Sequence, residues 1–221
     1  MLMLGIDDAG RGPVIGPMIL AGCLMDNKFE RELKNLGVKD SKQLTQKRRE
    51  FLADKIKEVA QGFEVVLALP EEIDRTNKEG INLNQLEAMK MAEVINKLNK
   101  GNEKIKVIVD CPSVSIDKWR DFLKTKIDNL SNLEVVCEHK ADVNHVSVSA
   151  ASILAKCTRE IEMDKLKAEY GKEIGSGYPS DPKTCTFLAK NAKKHKDKGI
   201  FRKSWSTWQE ACGETKQKKL F

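Results

Sequence analysis

The sequence predicts an α/β (α+β) domain built on a mixed sheet with helices packed against it. Three observations lead there. Short apolar, partly β-branched runs at residues 2–6, 14–25, 63–69, 105–109 and 133–137 read as five strands. The two later runs are separated by a helical segment, so their strands are expected to run parallel. Strands come first and then alternate with helices, which is the order of a layered α/β chain.

The elements follow in order. Residues 2–6 end on Asp7-Asp8, and Gly10-Arg11-Gly12-Pro13 is a turn signal. The run 14–25 is interrupted by Gly16-Pro17 and predicts a strand with a bend. Residues 44–60 predict a helix, since Thr45 can cap it and Leu52, Ile56 and Val59 fall on one face. After the strand 63–69, residues 82–99 form a helix with Met91, Ile95 and Leu98 as its stripe. The buried strand 105–109 ends on Asp110, a helix covers 116–127, and the last strand is 133–137. A long helix over 147–170 opens with Ser149, Ala150, Ala151, Ser152 and Ala155, small enough to let its backbone approach a sheet. A loop covers 175–179, Asp181 caps a helix starting at Pro182, and a short helix spans 206–212.

Charge is unevenly spread. The 39 Lys+Arg and 33 Asp+Glu give a net +6, but residues 183–221 hold eleven basic and three acidic side chains, so the first 182 residues sum to −2. A near-neutral body with a basic C-terminal segment favours contact with a polyanion. A hydrophobic content of 40% argues against disorder. No apolar run reaches the roughly 18–20 residues of a membrane helix, and the N-terminus lacks a signal-peptide pattern, so a cytoplasmic location is expected. Cysteines 23, 111, 137, 157, 185 and 212 form no CxxC pair, and neither His139 nor His145 completes a zinc pattern. They read as reduced, mostly buried small hydrophobes.

Three strands end on or near carboxylates: Asp7-Asp8, Asp110 and Asp142. Ligands gather beyond the carboxyl ends of strands in such sheets. If these strands are neighbours, the carboxylates converge, and like charges so placed raise one another's pKa until cations relieve them. Oxygen ligands suit Mg²⁺ or Mn²⁺, and two such ions about 3.5–4 Å apart can bracket a displacement at phosphorus. Taken singly, Asp110 also reads as a turn former before Cys111-Pro112-Ser113, and Asp142 as a helix cap. The adjacent pair Asp7-Asp8 is harder to explain without a partner. The glycines at 10, 12 and 16 invite a dinucleotide reading, but their spacing is GxGxxxG and Pro17 interrupts the required helix. A tight turn whose amides approach a phosphate or sugar, with Arg11 supplying charge, is the alternative.

Five segments in order resemble type 2 ribonuclease H (ribonuclease HII) of archaeal character. They are Gly5 to Pro17 (usual core DEAGRG), Val38-Lys39-Asp40-Ser41-Lys42-Gln43-Leu44, Val109-Asp110, His139-Lys140-Ala141-Asp142 with Val148 to Lys156, and Gly175 to Pro182 (GSGYxSDP). The resemblance spans about residues 4 to 210. It implies a ribonuclease H-like mixed five-stranded sheet flanked by helices as a catalytic domain over 1–180, with a helical, basic C-terminal extension and tail over 181–221. It implies endonucleolytic hydrolysis of RNA in RNA/DNA hybrids, including single ribonucleotides in duplex DNA, with 5′-phosphate and 3′-hydroxyl products. Asp7, Asp8, Asp110 and Asp142 would bind two divalent ions, Mg²⁺ or Mn²⁺. Gly10, Arg11 and Gly12 would read the ribose 2′-OH through the backbone, and Tyr178 would stack at the RNA–DNA junction. Lys42, Lys140 and Arg202 are further substrate contacts by this resemblance, with Lys39 and Lys156 as candidate phosphate contacts. A monomer is the family default.

The chain departs from the pattern at three places. Position 8 is Asp where the family has Glu, one methylene shorter, which predicts weaker Mg²⁺ activity or a hybrid-binding variant that cuts poorly. His145 stands where many relatives have an aromatic followed by Pro, and neutral packing is expected for it. The end Gln217-Lys218-Lys219-Leu220-Phe221 partly resembles a sliding-clamp-binding motif but lacks its usual pair of aromatics.

Overall fold

The computed structural model describes residues 1–38 and 44–213. Five strands form one mixed sheet in the order β3-β2-β1-β4-β5: β1 (Leu2–Ala9), β2 (Met18–Met25), β3 (Gly62–Ala68), β4 (Ile105–Asp110) and β5 (Leu133–Glu138). β1 runs antiparallel to β2 and parallel to β4, and β4 runs parallel to β5 as the sequence predicts. Three parallel strands therefore end at the same edge of the sheet.

Among the described residues the helices are α1 (Asn27–Asn35), α2 (Gln46–Val59), α3 (Pro70–Lys78), α4 (Leu83–Leu98), α5 (Ile116–Lys124), α6 (Ala141–Asn144), α7 (Val146–Tyr170), α8 (Pro182–Asn191) and α9 (Ser206–Cys212). Local chemistry sets their starts. Thr45 caps α2, Asn82 and Gln85 close a capping box on α4, and Asp181 caps α8 ahead of Pro182. Three helices are not among those expected, the one-turn α6 and two longer ones. α1, capped by Asp26, buries only Leu33, so it carries no apolar period to read. α3 starts on Pro70 and buries Asp74 and Thr76 beside Ile73, a mixed face that periodicity does not detect. Residues 14–17, expected inside a strand, lie outside β2: Gly16 takes a φ of +83°, and the segment forms only the isolated bridge Ile15–Phe201.

By compactness the chain falls into two units, each drawn from separate stretches. The first contains Met1–Ala9, Ile19–Leu67 and Asn82–Thr158 within the described residues. Its core joins Ile19, Ala21, Cys23 and Met25 of β2 to Leu33, Leu52, Ile56 and the Ala150, Ala151 and Leu154 face of α7. α7 lies so close to β1 that a Cβ on Gly5 would stand 2.1 Å from the Ser147 carbonyl carbon; the small residues at the start of α7 serve this approach. The second unit contains Gly10–Met18, Ala68–Ile81 and the described residues from Arg159 on. Its core is Val14, Ile15, Met163, Phe187, Leu188, Phe201 and Trp208. Residues after 180 thus pack with Val14 and Ile15 in one core. Four of the six free cysteines are buried, while Cys185 is exposed and Cys212 half-buried. Among the described residues no helix is long and apolar enough to cross a membrane.

Candidate active site

In the first unit, carboxylates mark the edge where the parallel strands end. The register pairs Ile6 with Val109, so Asp7 and Asp110 each stand one position beyond it on neighbouring strands. The pleat gives them the same face as Gly5 and Ile108, the face covered by α7. Asp7 is 4% exposed; burial pushes its carboxyl well above the usual range, Asp8 and Asp110 push it further, and a Ser152 hydrogen bond opposes them. The Asp8 amide also donates to Asp7 Oδ1 at 2.8 Å. Lys156 Nζ lies 3.0 Å from Ser152 Oγ, which ties that lysine to the site through the serine. Ser152 is completely buried and was legible in the sequence only as a small residue.

Asp142 reaches this edge from α6. The Ala141 amide donates to Asp110 Oδ1 at 3.0 Å, which seats α6 on the end of β4, and Asp142 itself is 3% exposed. Lys140 before it is exposed and adopts a left-handed φ of +58°, the sharp reversal that starts α6. His145 is half-buried, with its Nε2 2.6 Å from Glu138 Oε1 at the end of β5. His139 Nδ1 lies 3.0 Å from the Cys111 carbonyl.

The expected convergence is therefore met in part. Asp7, Asp8 and Asp110 lie within electrostatic reach of one another, and Asp142 stands beside the Asp110 contact. Among the described residues, however, no three His, Cys, Asp or Glu side chains already close into a ligand set. The donors still fit a hard divalent cation: all are carboxylates, and a buried carboxyl raised by two others is the group that a cation would relieve.

In the second unit, Gly10-Arg11-Gly12 forms a turn held from behind. Gly10 has a φ of +79°, and a Cβ there would meet the Arg159 side chain at 2.6 Å. Arg202, expected to touch substrate, is fully buried. Its guanidinium donates to the carbonyls of Gly10 at 2.6 Å, Arg11 at 2.7 Å and Gly16 at 3.0 Å. These three bonds take up the fork, so Arg202 braces the turn from behind. Arg11 is half-buried and Gly12 exposed.

Tyr178 is 39% exposed and sits against this turn: a Cβ on Gly12 would lie 3.8 Å from its ring. Arg159 lies 5.5 Å from the ring centroid and donates to the carbonyls of Pro17 at 2.9 Å and Ser176 at 3.1 Å. Burial pushes the Arg159 guanidinium below its ordinary value, with Tyr178 opposing. The loop bearing Tyr178 is closed by Asp181, which accepts from the Ser176 amide at 2.7 Å, and by Thr184, which accepts from the Gly177 amide at 3.0 Å. The Ser176 amide and hydroxyl, with the Lys183 amide, hold the Asp181 carboxyl below its usual range. The Gly177 carbonyl in turn accepts from Val14 at 2.8 Å, joining the loop to the turn segment. Lys42 and Lys39 lie outside the described residues, as does the C-terminal motif from 217 to 221.

The ribonuclease HII family model matches residues 4–208. A ribonuclease HII of Methanococcus maripaludis strain C6 is 44% identical over 223 residues, covering 100% of this chain and 91% of its own. The crystal structure of ribonuclease H2 from Pyrococcus horikoshii superposes with a TM-score of 0.86 at 39% identity, covering 97% of this chain and 98% of that one. The ribonuclease HII solved in a PCNA complex from Archaeoglobus fulgidus gives 0.82 at 36% identity, covering 99% and 100%. The sheet is thus the ribonuclease H-like one, and the chain belongs to the ribonuclease HII family and is a ribonuclease H hydrolase.

Proposed function

We propose that this protein is an endoribonuclease that hydrolyses the RNA strand of RNA/DNA hybrids and cuts at single ribonucleotides embedded in duplex DNA, leaving 5′-phosphate and 3′-hydroxyl ends. The observation that carries this reading is Asp7, a buried carboxyl driven up by burial and by the carboxylates of Asp8 and Asp110 at the end of a parallel strand. Asp7, Asp8, Asp110 and Asp142 would hold two divalent ions, Mg²⁺ or Mn²⁺, which supply an activated water and offset charge developing at phosphorus when bound. Ser152 fixes the Asp7 carboxyl, and the Ala141 amide fixes that of Asp110, so both donors are oriented before any cation arrives.

Substrate recognition falls to the second unit and to exposed cations. The turn amides read the 2′-OH, the one group that separates RNA from DNA at a given site. Tyr178, with one face exposed and Arg159 against it, stacks on the sugar or base at the junction. Lys140 and the exposed lysines 183, 190, 193, 194, 196 and 198 supply phosphate attraction. Docking on a sliding clamp through the C-terminal tail is supported by the relative solved in a PCNA complex.

The test is incubation with a DNA duplex carrying one ribonucleotide, in Mg²⁺, in Mn²⁺ and in EDTA. Cleavage 5′ to the ribonucleotide, lost in EDTA and in Asp7→Asn, is the expected result. Tight binding without cleavage in either metal identifies the hybrid-binding variant that Asp8 makes conceivable, and neither binding nor cleavage sinks the proposal.

A further inference from the structure

We propose that Asp74 and Arg202 set the discrimination between ribose and deoxyribose, as positioning residues that fix the direction of two amides in the Gly10–Gly12 turn. The inference rests on the function proposed above and names what enforces its specificity. Asp74, on α3, is 8% exposed and takes no part in the chemistry assigned to the strand-end carboxylates. Its carboxylate accepts from the Lys203 amide at 2.7 Å, the Ser204 amide at 2.8 Å and the Ser204 hydroxyl at 2.7 Å. Three bonds from one carboxylate thus anchor the chain immediately after Arg202.

Arg202 passes that anchorage to the turn. Its amide donates to the Val14 carbonyl at 2.9 Å, and its guanidinium takes the carbonyls of Gly10, Arg11 and Gly16. Trp205 Nε1 lies 3.3 Å from the Gly12 carbonyl, with its ring 5.1 Å from the Arg202 guanidinium. Successive turn carbonyls are therefore committed to the 202–205 segment.

Peptide geometry supplies the consequence. In a trans peptide the carbonyl of one residue and the N–H of the next point in opposite directions, and no described peptide bond is cis. With the Gly10 and Arg11 carbonyls turned to Arg202, the amides of Arg11 and Gly12 face the other way. Residue 13 is proline and has no amide, so the outward set ends at these two. Tyr178 lies beside the same turn, its ring being the nearest group to a Cβ on Gly12 at 3.8 Å. Two donors of fixed direction near an aromatic ring suit a sugar hydroxyl, which a deoxyribose does not offer. Lysine cannot replace the arginine, because three carbonyls in different directions need the planar fork.

The experiment compares Asp74→Asn and Arg202→Lys with the wild type in EDTA, so that binding is read without cleavage. The probes are a DNA duplex carrying one ribonucleotide and the same duplex in all-deoxy form, titrated by fluorescence anisotropy. Thermal melting establishes that each variant folds. The expected result is a ribo-over-deoxy preference reduced about tenfold, the scale of one charge-assisted hydrogen bond, with affinity for the all-deoxy duplex unchanged. A merely structural role would weaken both duplexes together. Where a variant fails to fold, Ser204→Ala removes only the hydroxyl bond to Asp74 and must lower the preference in the same direction. Folded variants that keep the wild-type preference overturn this inference alone, as does a Ser204→Ala protein without effect. A wild type that neither cleaves nor prefers the ribonucleotide overturns the proposed function itself.

Discussion

Asp7→Asn should stabilise the metal-free protein while abolishing its cleavage. Burial holds the Asp7 carboxyl well above the usual range, with Asp8 and Asp110 adding to the shift and bonds from Ser152 and the Asp8 amide opposing it. A carboxyl whose folded-state pKa exceeds its unfolded value binds its proton more tightly when folded. Its contribution to stability is complete at pH below the unfolded value and is lost as pH rises through the folded one. At neutral pH without metal, the native carboxylate is therefore a liability. Asparagine offers the same acceptor oxygen to Ser152 and the Asp8 amide without the charge.

The size follows from the topology. Asp7 and Asp110 stand one position past the Ile6–Val109 pair on neighbouring strands, whose backbones lie about 4.8 Å apart. Two carboxylates about 5–6 Å apart in an effective dielectric of about 20 repel by about 3 kcal/mol. Weaker hydrogen bonds to an amide than to a carboxylate offset about 1–2 kcal/mol of that. A net gain of about 1–2 kcal/mol raises the melting temperature by about 2–8 °C in a chain of this size. Melting in EDTA from about pH 4 to about pH 8 should show the gap between variant and wild type widening as pH rises. Adding Mg²⁺ or Mn²⁺ should raise the wild-type melting temperature and narrow the gap. A variant that melts at or below the wild type in EDTA at neutral pH, or a gap indifferent to pH, refutes the reasoning.

Other changes probe the remaining parts. Asp8→Glu restores the longer side chain of the family pattern and should raise the Mg²⁺-supported rate, with the wild type performing relatively better in Mn²⁺; equal Mg²⁺ rates contradict this. Gly5→Ala places a Cβ 2.1 Å from the Ser147 carbonyl carbon and 2.3 Å from the Val148 amide nitrogen, both backbone of α7. It should cost about 3 kcal/mol or more in denaturant titration, and a variant as stable as the wild type would show that α7 can retreat freely. Replacing the exposed lysines 190, 193, 194, 196 and 198 by Gln should weaken duplex binding and flatten its logarithmic salt slope by about 0.9 for each phosphate no longer neutralised. An unchanged slope removes them from the interface. Deleting 183–221 is not an equivalent test, because it would strip Phe187, Leu188, Trp208 and Arg202 from the core and turn of the second unit.

What the sequence discloses is local or periodic. Thr45, Asn82 and Asp181 announce helix starts because a capping side chain bonds within three residues of itself. The strand carboxylates are legible because the apolar runs before them are largely buried, so charge placed directly after them stands out. Position in the chain also predicts that β4 and β5 run parallel, since a helix separates them. By contrast, α1 and α3 bury too few apolar groups to leave a period, and Asp74 reads as one more surface carboxylate until its bonds across 129 and 130 residues are seen. The bracing bonds of Arg202 are hidden for the same reason. In the string Arg202-Lys203-Ser204-Trp205 two cations look alike, yet one is sealed behind a turn and the other is half-buried.

The burial of Arg202 separates attraction from recognition. On the proposed function, exposed lysines would act through long-range charge, which salt screens and which ignores the sugar. The turn would act through neutral amides aimed by Arg202, a buried cation that salt does not reach. Affinity for ribonucleotide-bearing and all-deoxy duplexes should therefore fall together as salt rises, with the slope set by the lysines, while the ratio between them stays constant. Anisotropy titrations of both duplexes at several salt concentrations measure this directly. A ratio that collapses with salt would mean that discrimination runs through exposed charge after all, and that the turn held by Arg202 is not what reads the sugar.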